Sequence, residues 1–331
     1  MKHSNIAIFI PHMGCPHLCS FCNQRSISGE RSIPKGEDVR KICSSAMNEI
    51  IDKSNTEIAF FGGSFTAIDR DYMTELLSSA YEFVGEGKFK GIRISTRPDY
   101  IDEEILSLLK KYGVTSIELG AQSMSDKVLS ANERGHSSED VKKASILIKE
   151  YGFELGLQMM VGLYQSTESD EYFTMCEIAS LKPDTVRIYP VVVLENTRLG
   201  ELYNSGEYQL YDFDKAVEIC ANMLYMFEFM GIKVIRLGLH ASEDVSESSI
   251  AGFYHDSFRE LCESRIFRMK VKSLISENKR SYTINVPKGA LSKAIGHKKS
   301  NIEYFRKNGF DISFSENPEL KGYCVSIKEV K

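Results

Sequence analysis

From residue 6 to residue 237, short β-branched apolar runs alternate with longer amphipathic stretches, and this alternation constrains the fold more than any other feature of the 331 residues. The candidate strands are Ile6–Ile10, Glu57–Phe61, Gly91–Ser95, Ser116–Leu119, Leu155–Met160, Val186–Tyr189 and Lys233–Leu237. Between them lie helix-like stretches such as Asp38–Ile51, Tyr72–Val84, Glu103–Tyr112, Ser138–Tyr151 and Phe213–Met230. Strands that alternate with helices make βαβ units, and such units build a parallel sheet. Six or seven units in about 240 residues fit a full or partial α/β barrel better than a dinucleotide-binding fold. No G-x-G-x-x-G follows the first strand. Polar residues recur near the strand ends, as Gly62-Gly63-Ser64, Thr96-Arg97, Gln122-Ser123 and Gln158. A turn or a cap explains any one of them. Their recurrence where barrel enzymes build active sites points to a single site.

Eight cysteines are distributed unevenly, with Cys15, Cys19 and Cys22 inside eight residues and five others isolated. The isolated ones read as small buried apolar residues. The trio, C-x3-C-x2-C directly after the first strand, has the spacing to wrap one compact inorganic centre. A four-iron centre held by three thiolates keeps one iron open, and an open position is what catalysis requires. A structural zinc site that adds His12, His17 or a distant residue remains the alternative. Composition (42% hydrophobic, 26% charged) excludes a disordered chain. No apolar run approaches the roughly 20 residues that span a bilayer, and the N-terminus lacks the features of a signal peptide. A cytoplasmic protein with no membrane association is expected.

Around residue 240 the pattern changes. The expected organisation is a barrel over 1–240, a helical extension over 241–280 and a small α+β unit over 281–331. In the extension, Asp244–Ser249 is acidic and polar, and Ile250–Ile275 reads as helical. In the last unit Ser281–Val286 alternates like a strand, Gly289–Ile295 and Ser300–Asn308 read as short helices, and Phe310–Ser315 and Tyr323–Val330 as strands. Between Arg265 and Lys307 twelve Lys/Arg face two Glu, a local balance of +10, which leaves −15 for the rest of a chain of net charge −5. Such polarity suggests a polyanionic partner, although a solvated basic face has the same charge.

The cysteine spacing, with an aromatic residue before the last cysteine, resembles the radical S-adenosylmethionine (SAM) superfamily. Gly62-Gly63-Ser64-Phe65-Thr66 is similar to its Gly-Gly-Glu motif, with Ser64 in place of the Glu. Ser95-Thr96-Arg97-Pro98-Asp99, Ile117 to Ser123, Arg134-Gly135-His136, Met159 to Leu163, Ile188-Tyr189-Pro190 and Glu201 to Tyr208 resemble the branch that contains the Elongator catalytic subunit. Gly252 to Leu261 is similar to that branch's C-terminal extension. Residues after 265 leave no room for that branch's acetyltransferase domain, so a branch member lacking it is expected. Within the last unit, Ala294-Ile295-Gly296-His297-Lys298-Lys299-Ser300-Asn301-Ile302 resembles the I-G-x-x-G-x-x-I core of KH RNA-binding domains, with Lys299 at the second glycine.

The resemblance implies a partial (β/α)6-type TIM barrel followed by a KH-like α+β domain. It implies a 4Fe–4S cluster ligated by Cys15, Cys19 and Cys22, and reductive cleavage of SAM to a deoxyadenosyl radical that takes a hydrogen atom from substrate. By position, Phe21 packs near the adenine, and Gly62 and Gly63 let the backbone approach the SAM amino group, with Ser64 a weaker contact than a Glu. Thr96, Gln122 and Ser123 touch ribose or methionine, Arg134 pairs with the methionine carboxylate, and Arg187 and Tyr189 face the barrel interior as catalytic residues near substrate. Gly296, His297, Lys298 and Lys299 clamp RNA. The implied reductant is a small electron carrier such as flavodoxin or ferredoxin. The expected function is RNA modification, on tRNA or rRNA. The alternatives are a small-molecule or protein substrate, as in coproporphyrinogen-oxidase-like relatives, and a non-catalytic iron–sulfur adaptor for RNA.

Overall fold

The computed structural model describes residues 4–10, 19–23, 33–239, 243–276 and 280–328. In chain order its strands are β1 (Ser4–Ile10), β2 (Thr56–Gly62), β3 (Gly91–Thr96), β4 (Val114–Gln122), β5 (Glu154–Val161), β6 (Thr185–Pro190), β7 (Val192–Leu194), β8 (Lys233–Leu237), β9 (Ser249–Gly252), β10 (Ser281–Pro287), β11 (Asp311–Asn317) and β12 (Ser326–Ile327). All seven strands expected of the barrel form, and they join one parallel sheet in the order β1-β2-β3-β4-β5-β6-β8. Among the described residues no strand joins β1 to β8, so the architecture is a partial barrel of the α/β class.

The two faces of the sheet differ in chemistry because side chains alternate along a strand. One face carries Ile58, Phe60, Ile92, Ile94, Ile117, Leu119, Leu155, Leu157, Val186 and Ile188, all buried in the main core. Helices cover it, among them Gly36–Glu49, Arg70–Tyr81, Glu103–Lys111, Ser138–Glu150, Glu168–Ser180 and Phe213–Phe229. Their starts are set by side chains that satisfy free backbone N–H groups. Asp102 Oδ1 accepts from Ile105 N at 2.8 Å, and Ser137 with Asp140 and Thr167 with Asp170 form capping boxes. The other face carries Glu57, Arg93, Glu118 and Arg187, which a purely structural parallel sheet would replace with aliphatic residues.

After β8 the chain departs from the sequence expectation. The stretch 250–275 is not one helix. Ser249–Gly252 is a strand, antiparallel to β7, and the helix begins only at Phe258. Gly252 explains the break: at φ +110° a Cβ there would lie 2.6 Å from the Val191 carbonyl oxygen, and only glycine tolerates that approach. The helix Phe258–Leu274 then packs against Phe213–Phe229 on one side and the C-terminal unit on the other. In that unit β10 lies between parallel β11 and antiparallel β12, with short helices Leu291–Ile295 and Ser300–Lys307 in the chain between β10 and β11. The last expected strand, Tyr323–Val330, is ordered as Ser326–Ile327, and residues 329–331 lie outside the described part.

The unit shares its core with the preceding helix: Phe267 and Val271 pack with Tyr282, Ile284, Val286, Ala294, Phe305 and Ile312. Fully buried Asn301 locks the contact. Its Nδ2 donates to the carbonyls of Ser264 and Ala294 at 2.9 Å each, and its Oδ1 accepts from Arg268 Nε at 2.7 Å. An ion pair of 2.8 Å joins Lys293 to Glu263. Among the described residues no helix is long and apolar enough to cross a membrane.

Candidate active site

Most of the residues expected around the cofactor lie at or after the C-terminal ends of β1, β2, β3 and β4, parallel neighbours whose ends line one rim of the sheet, while Arg187 and Tyr189 lie on β6. Residues 11–18, and with them Cys15, His12 and His17, lie outside the described part. Cys19 to Asn23 are described and firmly held. Ser20 N donates to Asn132 O at 3.2 Å and Ser20 Oγ to Asn132 Oδ1 at 2.9 Å, while Leu199 N donates to Ser20 O at 2.7 Å. Asn132 is itself fully buried and donates to the carbonyls of Val128 and Tyr164. Phe21 packs with Val128, Leu163, Val191, Val193 and Leu199.

Arg134, two residues after Asn132, reaches the cysteines. Its Nη1 donates to Cys19 Sγ at 3.0 Å and its Nη2 to the Gly120 carbonyl at 2.7 Å, while its buried Nε has no hydrogen-bond partner among the described residues. A buried guanidinium with a spare donor beside a cysteine suits an anionic ligand. Neighbouring His136 is buried, with Nε2 3.3 Å from the Ala121 carbonyl. Burial, and then the charges of Arg134 and Arg97, push it down to about 4. It is therefore neutral near pH 7, and the carbonyl partner requires the proton on Nε2.

The Gly62-Gly63 turn presses against the end of β1. At φ +112° a Cβ on Gly62 would sit 2.6 Å from Ile10 O, and Gly63 N donates to that same oxygen at 2.9 Å. Glycine is required here because the β1 backbone itself approaches so closely. Ser64 and Thr96 are both buried and bond each other at 2.9 Å. Thr66 Oγ1 joins them 2.6 Å from Thr96 Oγ1, and Arg97 N donates to Ser64 Oγ at 3.2 Å. Their hydroxyls thus stitch β2 to β3.

Gln122, at φ +66°, accepts from Gln158 Nε2 at 3.1 Å across β4 and β5. Ser123 is turned away, sharing a 3.2 Å bond with Thr174 on the Glu168–Ser180 helix. On the inner face Arg187 Nη2 donates to Glu118 Oε1 at 2.8 Å and stacks over Phe61, its guanidinium carbon 5.1 Å from the ring centre. Its Nη1 lies 3.4 Å from the Tyr189 hydroxyl. Burial alone would lower the Arg187 pKa, but Glu118 and Tyr189 outweigh it and raise it. The same Glu118 oxygen accepts from Arg93 Nη1 at 3.1 Å. Asn132, Arg93 and Glu118 were not singled out from sequence. The alternation in β2 to β4 that sets charges opposite Ile and Leu was the available signal.

Glu171 secures the end of β5. Its Oε1 accepts from Gly162 N at 2.7 Å and Ser166 Oγ at 2.9 Å, and Tyr208 OH donates to Gly162 O. Burial, against these bonds, pushes the Glu171 carboxyl up to about 7 from an ordinary 4.5. Between those values the unfolded chain has released a proton that the folded chain keeps, so this group makes stability fall as pH rises from 4.5 to about 7. Glu171→Gln, whose amide oxygen accepts both bonds, is expected to flatten that part of the pH profile. Urea unfolding at about pH 5 and about pH 8 measures it; an unchanged slope in the variant contradicts the assignment.

Thiolates are soft ligands that select iron–sulfur centres, zinc or copper(I). Cys19 and Cys22 are one turn apart, with Cys22 N donating to Cys19 O at 3.0 Å. Among the described residues no three metal-binding side chains converge, and Cys15 is not among them. The two thiols and the spare Arg134 donor fit a cluster that carries an anionic ligand.

The model of the radical SAM superfamily matches residues 9–175, and that of the radical SAM C-terminal domain residues 183–268. A tRNA uridine(34) acetyltransferase of Methanocaldococcus infernus is 31% identical over 183 residues, 49% of this chain and 34% of that protein. Human Elongator complex protein 3 is 34% identical over 197 residues, 53% of this chain and 35% of that protein. The chain thus spans about a third of the length of these curated relatives. Among solved structures, archaeal Methanocaldococcus infernus Elp3 with an N-terminal deletion superimposes with a TM-score of 0.65 at 22% identity, over 84% of this chain and 66% of that one. Escherichia coli coproporphyrinogen III oxidase gives 0.50 at 17% identity, over 70% and 53%.

Proposed function

Given that this chain belongs to the radical SAM superfamily and is a radical SAM enzyme, we propose that its substrate is RNA, a tRNA or an rRNA. When bound, a 4Fe–4S cluster and SAM supply one-electron chemistry: reductive cleavage of a sulfonium C–S bond and abstraction of a hydrogen atom from substrate. Cys15, Cys19 and Cys22 hold the iron, and the reductant is a flavodoxin- or ferredoxin-type carrier. The Gly62-Gly63 backbone receives the SAM amino group, and the spare Arg134 Nε its carboxylate. Arg187 and Tyr189 line the inner face beside Phe61, where aromatic rings exclude water from a reactive centre.

The observation that carries the RNA reading is the basic loop 296–299 and its attachment to the core. The loop separates two short helices, and His297, Lys298 and Lys299 are all exposed. The His297 ring meets that of His255 edge to face, with centres 5.8 Å apart. His255 lies on the connection from β8 to the Phe258–Leu274 helix. Phe258, three residues on, packs at the C-terminal end of β8, where a Cβ on Gly238 would lie 3.0 Å from Phe258 Cβ, so RNA held by the loop would lie towards that rim. Lys299 takes φ +64°, the left-handed conformation that a glycine would otherwise supply. Clustered lysines reward phosphate contacts, and the named activities of the tRNA-modifying relatives point the same way.

The test is binding of bulk small RNA by the wild-type chain and by Lys298→Ala/Lys299→Ala at several salt concentrations. Losing two phosphate contacts is expected to weaken binding and reduce the log–log salt slope by about 2. An unchanged affinity and slope would remove RNA from this loop. Failure of the wild-type chain to bind RNA would favour a small-molecule or protein substrate.

A further inference from the structure

We infer that Arg134 sets the redox poise of the cluster by donating a charged hydrogen bond to the sulfur of Cys19. The inference rests on the reading of the three cysteines as iron ligands, and concerns what this chain's own guanidinium does to one of them. Arg134 is buried, at 6% exposure, and held at both ends of its fork. Nη2 is fixed on the Gly120 carbonyl at 2.7 Å, which leaves Nη1 3.0 Å from Cys19 Sγ. Gly120 keeps this arrangement open. A Cβ there would come within 2.9 Å of Gln122 Nε2 and 3.4 Å of Arg134 Nη2. The residue is anchored at the far side too, since Arg134 N donates to Leu129 O at 3.1 Å and Asn132 clamps Ser20 beside Cys19. Thiol and guanidinium are thus presented to each other by two segments 115 residues apart in sequence.

Reduction adds one negative charge to a thiolate-ligated cluster. A hydrogen bond to a ligand sulfur stabilises the more negative state, and hydrogen bonding and charge at the sulfurs are among the factors that set cluster potentials. A full positive charge in a water-poor site does so more strongly than a neutral donor. Arg134 therefore raises the cluster's midpoint and makes it accessible to a modest reductant. The bond to Cys19 also leaves Nε as the donor available to the SAM carboxylate, so one side chain contacts the cluster's ligand and its substrate together.

The test is a reductive titration of the anaerobically reconstituted full chain without SAM, followed by electron paramagnetic resonance, for wild type, Arg134→Gln and Arg134→Lys, with iron and sulfide assayed in each. The Gln variant is expected to shift the midpoint to more negative potential at unchanged iron content. The Lys variant, which keeps the charge but not the fork, lies between. A Gln variant with full iron and an unmoved midpoint overturns the inference. If that variant fails to retain a cluster, pulsed paramagnetic resonance on the reduced wild-type chain with 15N-labelled arginine decides. A weak nitrogen coupling that changes isotope on labelling supports the bond, and its absence refutes it. A wild-type chain that assembles no 4Fe–4S cluster overturns the reading of the cysteines, and the inference with it.

Discussion

Cys19→Ala is expected to lose the iron–sulfur chromophore and bring SAM cleavage down to background, while the barrel remains cooperatively folded. The two halves of this outcome have separate causes. The chain around Cys19 is fixed by groups other than its sulfur: Ser20 on Asn132, Leu199 N on Ser20 O, and Phe21 in its apolar cluster. Removing the thiol therefore leaves the segment in place. What changes locally is Arg134 Nη1, which loses its partner; an unsatisfied buried donor costs about 1–3 kcal/mol, and a charged one more. That is tolerable for a domain stable by about 5–15 kcal/mol. A cluster deprived of one of three ligands has no such reserve. Iron and sulfide assay, SAM turnover and far-ultraviolet circular dichroism read the parts independently. Retained iron with full turnover would overturn the ligand assignment, and a collapsed fold would show that the cysteine is needed for structure.

The second large effect is on stability, at Arg93. This side chain is 2% exposed and contacts three carboxylates: Nε to Glu57 at 2.8 Å, Nη1 to Glu118 at 3.1 Å and Nη2 to Glu154 at 2.7 Å. Glu118 in turn holds Arg187, so the ladder runs from β2 to β6 across the inner face. Arg93→Ala would remove the guanidinium that buried Glu57 and Glu118 share, leaving Glu118 with Arg187 and Glu57 with contacts that include Lys90 at 3.9 Å. Breaking a buried pair on one side costs about 3–5 kcal/mol, measurable as a lowered urea midpoint at pH 7. The pH dependence gives a sharper check. Burial pushes the Glu57 carboxyl up, but the charge of Arg93, then bonds from Thr115 and Ser116, hold it at about 2 against an ordinary 4.5. A depressed carboxylate contributes stability above its unfolded pKa, and that contribution is lost as pH falls from 4.5 towards 2. In Arg93→Ala the largest of these lowering causes is gone and the term shrinks, so the gap between wild type and variant should narrow on acidification through that window. A variant less than about 1 kcal/mol weaker at pH 7 would mean the ladder is not coupled.

Much of this molecule was legible before any coordinates. All seven sheet strands coincide with β-branched runs, because burial of Ile and Val against the covering helices is a local pattern. The inner face was not legible as a network. Glu57, Arg93, Glu118 and Arg187 lie in four separate strands, and which of them meet is decided by register, such as Glu57 opposite Gly91 and Ser95 opposite Glu118. Nothing local announces that partnership. Strands β7 and β9 are three and four residues long, too short for periodicity to register. Sequence periodicity alone therefore extends the neighbouring Phe258–Leu274 helix back to Ile250. Asn132 and Glu171 look like ordinary helix-flanking polar residues in sequence; only burial reveals that one clamps the cysteine loop and the other the end of β5. The cysteine trio stands out by its spacing, whereas the double glycine and Arg134 stand out through the resemblance of their motifs to the radical SAM superfamily. Ser123 faces Thr174 because Gln122, in the left-handed region, reverses the alternation just before it.

The central claim is that three cysteines hold a cluster with one iron open to SAM. The most direct measurement is the paramagnetic resonance spectrum of the anaerobically reconstituted, reduced wild-type chain, recorded with and without SAM alongside its metal content. The account predicts about four iron atoms per chain and a cluster signal that changes shape when SAM is added. Zinc in place of iron, or a cluster signal indifferent to SAM, would contradict it.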